Sequence, residues 1–483
     1  MCYPRVSFRR KSRKRGSKIL LLGHFSVNLL VNNCAKMRIK LHILLVLLLL
    51  PLVVRAQSFV NVSKMAAAND SARVSLLTCA PGTSLYRLYG HTALRVREAK
   101  GTTDYAYNYG LFSLNQSGFI VKFILGLTDY SVSRESLALF GYEFANEQMP
   151  VTEQYLNLTP AEVAHVARWQ NQIFEQNKYE RHTYPVQGFE GMDTLIADKP
   201  DWTYRYNFLY DNCTTRAVEA IKAALKANGE TLVFPNLSRD KSVMSQRDMI
   251  HEFTRNSPWY EFGQDLLLGP EVDRKFNAED QLRYNFLPTY ALRIFDAAQI
   301  RGRDGQLRPL VVAKAPLLPI ESVAQQKATP LSPIVFFGTL FAFCLLLTFG
   351  QWRARKGNPI AQRAWRIWTL SFDTVLLVGL SLVGVLLTIM IGWSEHPAVG
   401  TNYLISIFNP VLLLLLLSLY LPSAVAFRKA MAALAMVGVL GYFITFFFGN
   451  QQFPLPTVPI ALMLLVRSGM IAYTSYDIVW RIV

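Results

Sequence analysis

Tyr206-Asn-Phe-Leu-Tyr-Asp-Asn-Cys213-Thr-Thr-Arg216 runs straight into Ala217-Val-Glu-Ala-Ile-Lys-Ala-Ala-Leu-Lys226. The first part is aromatic and strand-like, and the second has the composition of a helix. Cys213 therefore falls in the first turn of a helix, with Asp211 or Asn212 available as its cap. Unpaired N–H groups and the positive end of the helix dipole favour a thiolate there. Asn212 is the friendlier neighbour, because a carboxylate at Asp211 aimed at the sulfur would oppose its charge. A complementary group lies far upstream in Gly90-His91-Thr-Ala-Leu-Arg95-Val-Arg, where His91 opens a strand-like run. Thr92, Leu94 and Val96 share one face of that strand. His91, Ala93 and Arg95 share the other, so the imidazole points away from the apolar side. Nucleophile plus base is the minimum for covalent catalysis. A strand histidine alone would more often be structural; the cysteine is what gives it a partner.

A third polar group usually orients the base. Asn108, in Tyr105-Ala-Tyr-Asn108-Tyr-Gly110, is the candidate. A two-residue turn at Lys100-Gly101 would pair Ala93 with Asn108 and make His91 and Asn108 diagonal neighbours, roughly 7–8 Å apart at the backbone. Asp104 and Tyr107 are rivals for the same role.

The formal charge of +17 comes from 50 basic and 33 acidic residues. Residues 1–56 hold 12 of the basic residues and none of the acidic ones. Met37 begins a secretory signal pattern: Arg38 and Lys40, an apolar stretch from Leu41 to Val54, and the small-residue end Val54-Arg-Ala56. We expect translation from Met37 and cleavage after Ala56, with an uncleaved anchor as the alternative. Without this segment 38 basic residues face 33 acidic ones, an ordinary excess that gives no reason to expect nucleic-acid binding. Cys2 and Cys34 leave with the leader. Cys344 lies in an apolar helix, so only Cys79 and Cys213 face the exported compartment. A Cys79–Cys213 disulfide is the competing explanation for Cys213.

From 57 to 312 the chain reads as an exported α+β domain. Val74–Thr78, His91–Arg97 and Tyr105–Phe112 look like strands. Thr159-Pro-Ala-Glu162 is a capping box that opens a helix to about Gln176. The proline-bearing stretch 313–333 reads as a linker. Residues 334–483 then read as an all-α bundle of about five transmembrane helices, near 334–352, 367–392, 403–422, 430–449 and 457–476. Arg353, Arg355, Lys356, Arg363 and Arg366 lie between the first two, and Arg428 and Lys429 between the third and fourth. Trp393–Asn402 and Asn450–Pro456 contain no Lys or Arg. The positive-inside rule then puts the N-terminal domain outside the cytoplasm and the C-terminus inside, in agreement with the signal sequence. Within the spans, Arg467 is a costly charge for which Asp373 is the natural partner. The loop with His396 and Asn402, which has no Lys or Arg, followed by Asn409-Pro410, is polar enough to meet head groups or the exported domain.

Several short motifs occur in a fixed order: Leu77-Thr-Cys-Ala-Pro-Gly82, Gly90-His91-Thr-Ala-Leu-Arg95-Val, Tyr107-Asn-Tyr-Gly110, Asn212-Cys213-Thr-Thr-Arg216, Ser245-Gln-Arg247-Asp-Met-Ile-His-Glu252, Pro258-Trp259 and Leu267-Leu-Gly269. With the membrane half they resemble the Lnb-type bacterial lipoprotein N-acyltransferase family, over nearly the whole chain after the leader. The order His before Cys also resembles circularly permuted papain-like enzymes, in which the histidine lies on a sheet strand and the cysteine starts the facing helix. The resemblance implies an inner-membrane enzyme with a periplasmic domain and acyl transfer through a Cys213 thioester. His91 would be its acid and base, a membrane phospholipid the donor and the α-amine of a diacylglyceryl-cysteine lipoprotein the acceptor. Arg216 and Arg247 then become candidates for a lipid phosphate, with His396, Asn402 and Arg467 as further substrate contacts. Trp259, Tyr260 and Phe262 fit a lid, a membrane-facing wedge or core.

Two other readings use the same residues. A membrane-tethered cysteine amidase or peptidase of the cell wall would need the same His and Cys, and a non-catalytic envelope factor would pair Cys213 with Cys79. No metal-ligand cluster or nucleotide-binding glycine loop is evident in the sequence, so no cofactor is expected. The sequence leaves oligomeric state open.

Overall fold

The computed structural model describes residues 72–474, apart from 85–86, 100–102, 114, 116, 188–191, 235–243, 276–285 and 321–330. The leader and signal segment expected over 1–56 lie outside the described residues. Strands β1 (Arg73–Cys79), β2 (His91–Arg97) and β3 (Asp104–Leu111) form the antiparallel centre of a large sheet. They are followed by helix α1 (Phe119–Leu125), β4 (Asp129–Ser136), α2 (Leu137–Asn146), β5 (Val151–Leu156) and α3 (Pro160–Gln176). Then come β6 (Tyr179–Gln187), β7 (Met192–Pro200), β8 (Tyr204–Arg205), α4 (Cys213–Ala227) and β9 (Thr231–Val233). The main sheet begins at an edge strand formed by Val311–Leu318 (β12) and continues β5-β1-β2-β3-β4-β7-β6, with β8 on β4.

Its two faces bury different cores, as strand alternation requires. Val74, Leu76, Leu94, Val96, Tyr107 and Val132 pack under the apolar stripes of α3 and α4. Leu77, Cys79, Ala93 and Ala106 pack against Phe140 and Phe144 of α2 on the opposite face. The α3 helix starts as expected, with Thr159 and Glu162 bonding each other's backbone N–H.

Helices α5 (Gln246–Thr254), α6 (Pro258–Leu267) and α7 (Pro288–Ala297) lead to β10 (Gln299–Arg301), β11 (Leu307–Pro309) and β12 (Val311–Leu318). Strand β12 corrects the expected linker: residues 313–318 belong to the sheet and pair with β5. Pro316 is compatible with this because β12 is the edge strand, where a missing N–H breaks no ladder, and its pairing is interrupted by irregularities.

The membrane half comprises α8 (Pro333–Ala354), α9 (Pro359–Trp393), α10 (Leu412–Leu419), α11 (Val425–Phe448) and α12 (Thr457–Tyr473). Among the described residues, α8, α9 and α11 are long and apolar enough to cross a membrane, and α12 is a shorter apolar helix. The expected third span is broken. It is a 3₁₀ turn at Tyr403–Ser406 followed by the eight-residue α10. Pro410 has no N–H to continue a helix, and the Asn409 carboxamide takes the N–H of Val411 instead.

The N-terminal and membrane halves share cores. Phe262 of α6 belongs to the apolar cluster of the membrane helices, and Ala398 of the α9–α10 connection to the cluster around α5. Trp259 donates to the Leu331 carbonyl at 2.8 Å and packs on Phe336 and Phe337, so this aromatic group is a joint between the halves. At Gly269 the two halves meet backbone to backbone. Its N–H donates to Ala398 O at 2.7 Å, and a Cβ would lie 1.8 Å from Thr401 O.

Candidate active site

Asn212 caps α4, as its neighbours in sequence suggested. Its Oδ1 accepts the N–H groups of Thr214 (2.9 Å) and Thr215 (3.0 Å), and its amide donates to Phe286 O at 2.7 Å. Asp211 turns away into an ion pair with Arg216 at 2.7 Å. Cys213 is thereby fixed as the first residue of the helix, buried and free of any disulfide.

The helix docks on β2, where Thr214 Oγ1 lies 2.9 Å from Thr92 Oγ1. This contact brings the end of β2, and so His91, against the thiol. Burial alone would raise the Cys213 pKa. The positive charge of His91, its hydrogen bond to sulfur, the Thr92 backbone N–H and the Tyr206 hydroxyl outweigh burial and bring it down to about 6. The contrast with Cys79, the strand partner of His91, is direct: burial there prevails and pushes the thiol well above its ordinary value.

His91 is held from behind. Its Nε2 lies 2.5 Å from Asn108 Oδ1, and its ring stacks on Phe144 at 5.8 Å between centroids. The Asn108 amide nitrogen donates to Glu135 Oε1 at 3.3 Å, so its oxygen must be the acceptor for His91. Nδ1 is left for the thiol. Strands β2 and β3 pair in the expected register, Leu94 opposite Tyr107. Asn108 pairs in turn with Ser133 on β4, which puts Ser133 and Glu135 on the same face as His91. Ser133 Oγ donates to Glu135, and burial raises the Glu135 pKa to about 7 against these hydrogen bonds.

The rivals for the orienting role are engaged elsewhere. Asp104 pairs with Arg95 at 2.6 Å, and the Tyr107 hydroxyl donates to Asn171 on the opposite face.

Tyr206 and Glu135 are additions that the local sequence does not reveal. The Tyr206 hydroxyl lies 3.9 Å from Cys213 Sγ and 3.5 Å from the Cys213 N. It opens the stretch that holds Cys213, and its ring stacks on Tyr130 at 4.5 Å. Only the β3–β4 pairing could have pointed to Glu135.

The remaining candidates sit as follows. Arg216 lies over the Tyr204 ring at 3.8 Å, with its guanidinium on Asp211. Arg247 is fully buried and meets no open surface. It bonds Asp265 (2.6 Å), Asp273 (2.6 Å) and the carbonyls of Leu268 and Gly269, and so shapes the joint between the halves. Asn402 is likewise buried, donating to Leu266 O at 2.8 Å and capping the 3₁₀ turn. Arg467 sits inside the helix bundle in a two-pronged pair with Asp373, at 2.6 and 2.9 Å, with Thr348 and Gln351 at its other nitrogen. His396 alone of the membrane-half candidates approaches the cysteine. Its ring stacks on Phe208 at 5.3 Å, and Phe208 packs on Tyr206 at 5.4 Å. Among the described residues no group of three or more His, Cys, Asp or Glu is arranged to hold a metal ion.

Residues 58–184 match the family model of the Lnb N-terminal periplasmic domain, and residues 324–477 that of the Lnb transmembrane domain. No curated protein and no solved structure matches the chain. His91, Asn108 and Glu135 fall in the first match and Asp373, His396 and Arg467 in the second, whereas Cys213 lies between them. With both halves matched in order and joined as one body of structure, the chain belongs to the Lnb family, membrane proteins with an N-terminal periplasmic domain.

Proposed function

We propose that the chain is a cysteine-dependent lipoprotein N-acyltransferase. The observation that carries the reading is Cys213 at a helix start with its pKa brought down to about 6, beside a histidine anchored by Asn108 and Glu135. A thiolate is then the main form at neutral pH. It attacks the acyl carbonyl of a membrane phospholipid, and the carbonyl electrons move to oxygen. The Cys213 backbone N–H, which donates to the Tyr206 hydroxyl in the structure, and that hydroxyl would turn to the oxyanion. The ester C–O bond breaks, His91 gives its Nδ1 proton to the departing lyso-lipid oxygen, and a Cys213 thioester remains. The α-amine of a diacylglyceryl-cysteine attacks next. Its proton passes to His91, the C–S bond breaks, and the amide and the thiolate–imidazolium pair result. Histidine on β2 before cysteine on α4 supports the permuted papain-like description. The membrane half would cross five times, with α10 and its preceding turn as the third crossing and the C-terminus in the cytoplasm. Residues 37–56 would be the signal peptide.

The test uses the full chain in bilayer nanodiscs whose phospholipid carries a labelled acyl chain. Hydroxylamine-labile label on Cys213, transferred to a diacylglyceryl-cysteine peptide with a free amine, is the expected result. No label on Cys213, with cleavage of cell-wall peptides instead, would replace the acyltransferase by a peptidase or amidase.

A further inference from the structure

Helix α1, Phe-Ile-Val-Lys-Phe-Ile-Leu over 119–125, is apolar at six of seven positions, yet none of its residues is buried. Ile120 is 72 % exposed and Val121 61 %. In water such a face would be costly, and seven residues are too few for a helix to persist unaided.

What holds α1 is the membrane half. Gly126 N–H caps Phe123 O at 3.1 Å, and three donors just past the end of α9 bond the last three carbonyls, Phe123 O included. Ser394 Oγ donates to Ile124 O at 2.9 Å, Glu395 N to Leu125 O at 2.8 Å, and His396 Nε2 to Phe123 O at 2.6 Å. Gly126, at φ +73, permits the contact, since a Cβ there would stand 2.9 Å from His396 N. The outer face of α1 thus continues directly from the end of a helix long and apolar enough to cross the bilayer, whose final Trp393 is itself exposed. Its rim is positive: Lys122 and Arg205 both lean on the single carboxylate of Asp129. Such a rim suits a phosphate head group beside an apolar face.

The inner side of α1 points the other way. Phe123 packs against Phe208 at 6.2 Å, Phe208 against Tyr206, and the Tyr206 hydroxyl touches Cys213.

We propose that α1 lies in the periplasmic surface of the bilayer, with Ile120 and Val121 among the lipid chains, and that one acyl chain of the donor phospholipid reaches Cys213 along Phe123, Phe208 and Tyr206. The proposal rests on the acyl-transfer reading for its second part; the lipid contact of α1 stands apart from it.

The experiment places a benzophenone-bearing residue at position 120, or at Leu307 on β11 as control, in the full chain. Each protein is put in nanodiscs of phosphatidylethanolamine and phosphatidylglycerol. After illumination, position 120 should gain the mass of a phospholipid at least tenfold more often than position 307; equal labelling overturns the lipid contact. In parallel, Ile120→Asp with Val121→Asp should lower acyl transfer from nanodisc lipid at least tenfold. Transfer from a soluble short-chain phospholipid, and alkylation of Cys213 by a small water-soluble reagent, should persist. Undiminished transfer from bilayer lipid in this variant overturns the acyl-chain route. A wild-type protein that crosslinks lipid at position 120 but never forms the thioester refutes the acyltransferase reading and leaves the lipid contact intact.

Discussion

Asn108 Oδ1 takes the Nε2 proton of His91 at 2.5 Å, and Asn108 is in turn oriented by Glu135 from the next strand. The imidazole therefore has one nitrogen committed to the sheet and one to the sulfur. Asn108→Ala should leave the sheet intact and lower turnover by about 10²–10³-fold, the scale of a misplaced acid–base group. The apparent pKa of Cys213 should rise in the same variant, because the imidazolium loses its anchor. Turnover together with a thiol titration checks this; lost turnover with an unchanged titration would count against a positioning role.

The pH dependence of Cys213 follows from its lowered pKa. The thiolate is present above about pH 6 and is lost as pH falls through that value. Alkylation by iodoacetamide should rise to a plateau with a midpoint near 6. In His91→Ala the main lowering influence is gone, and the midpoint should move to at least the ordinary free-thiol value of about 8.5. Rate against pH for both proteins, with Cys79→Ala as background, is the measurement.

Arg467 and Asp373 form a buried pair between α12 and α9. Arg467→Met leaves Asp373 without its main partner and should cost about 3–5 kcal/mol. Arg467→Met combined with Asp373→Leu should regain most of that loss, since both charges are then gone. Thermal unfolding of the full chain in detergent, read for the single and double variants, tests the coupling.

Gly269→Ala should loosen the joint between the halves, because the added methyl would meet the Thr401 carbonyl and backbone must shift. We expect a loss of about 1–3 kcal/mol, the usual range for overpacking. Limited proteolysis should show earlier cleavage in 394–402.

The Cys213–His91–Asn108 line was legible because each residue announces itself locally. A capped helix start, strand alternation and a short hairpin fix direction and register. Glu135 was not legible, since it reaches the site through the β3–β4 pairing, and Tyr206 was not, since the irregular turn closed by Asn207 and Asp211 folds its hydroxyl back onto Cys213 without any periodic pattern. Composition misled in one place and told only part in another. Prolines near 316 suggested a linker where an edge strand tolerates them. Hydropathy over 403–422 marked the apolar segment but not the break within it, because it counts apolar residues and takes no account of the missing N–H of Pro410. In sequence Arg247 reads as a candidate for a lipid phosphate, because its two carboxylate partners lie 18 and 26 residues further on, out of reach of local pattern.

The bonds that cap α1 and the backbone contact at Gly269 come from one connection, residues 394–402, which enters the periplasmic domain at two separate points. That connection makes the protein hard to divide. Exchanging membrane halves between two relatives would transplant a connection cut to fit another host, and the graft should fail even when both parents work. The smallest heritable piece is then the whole body from β1 to α12, so changes at Gly126 or Gly269 should be tolerated only alongside matching changes near His396 or Thr401.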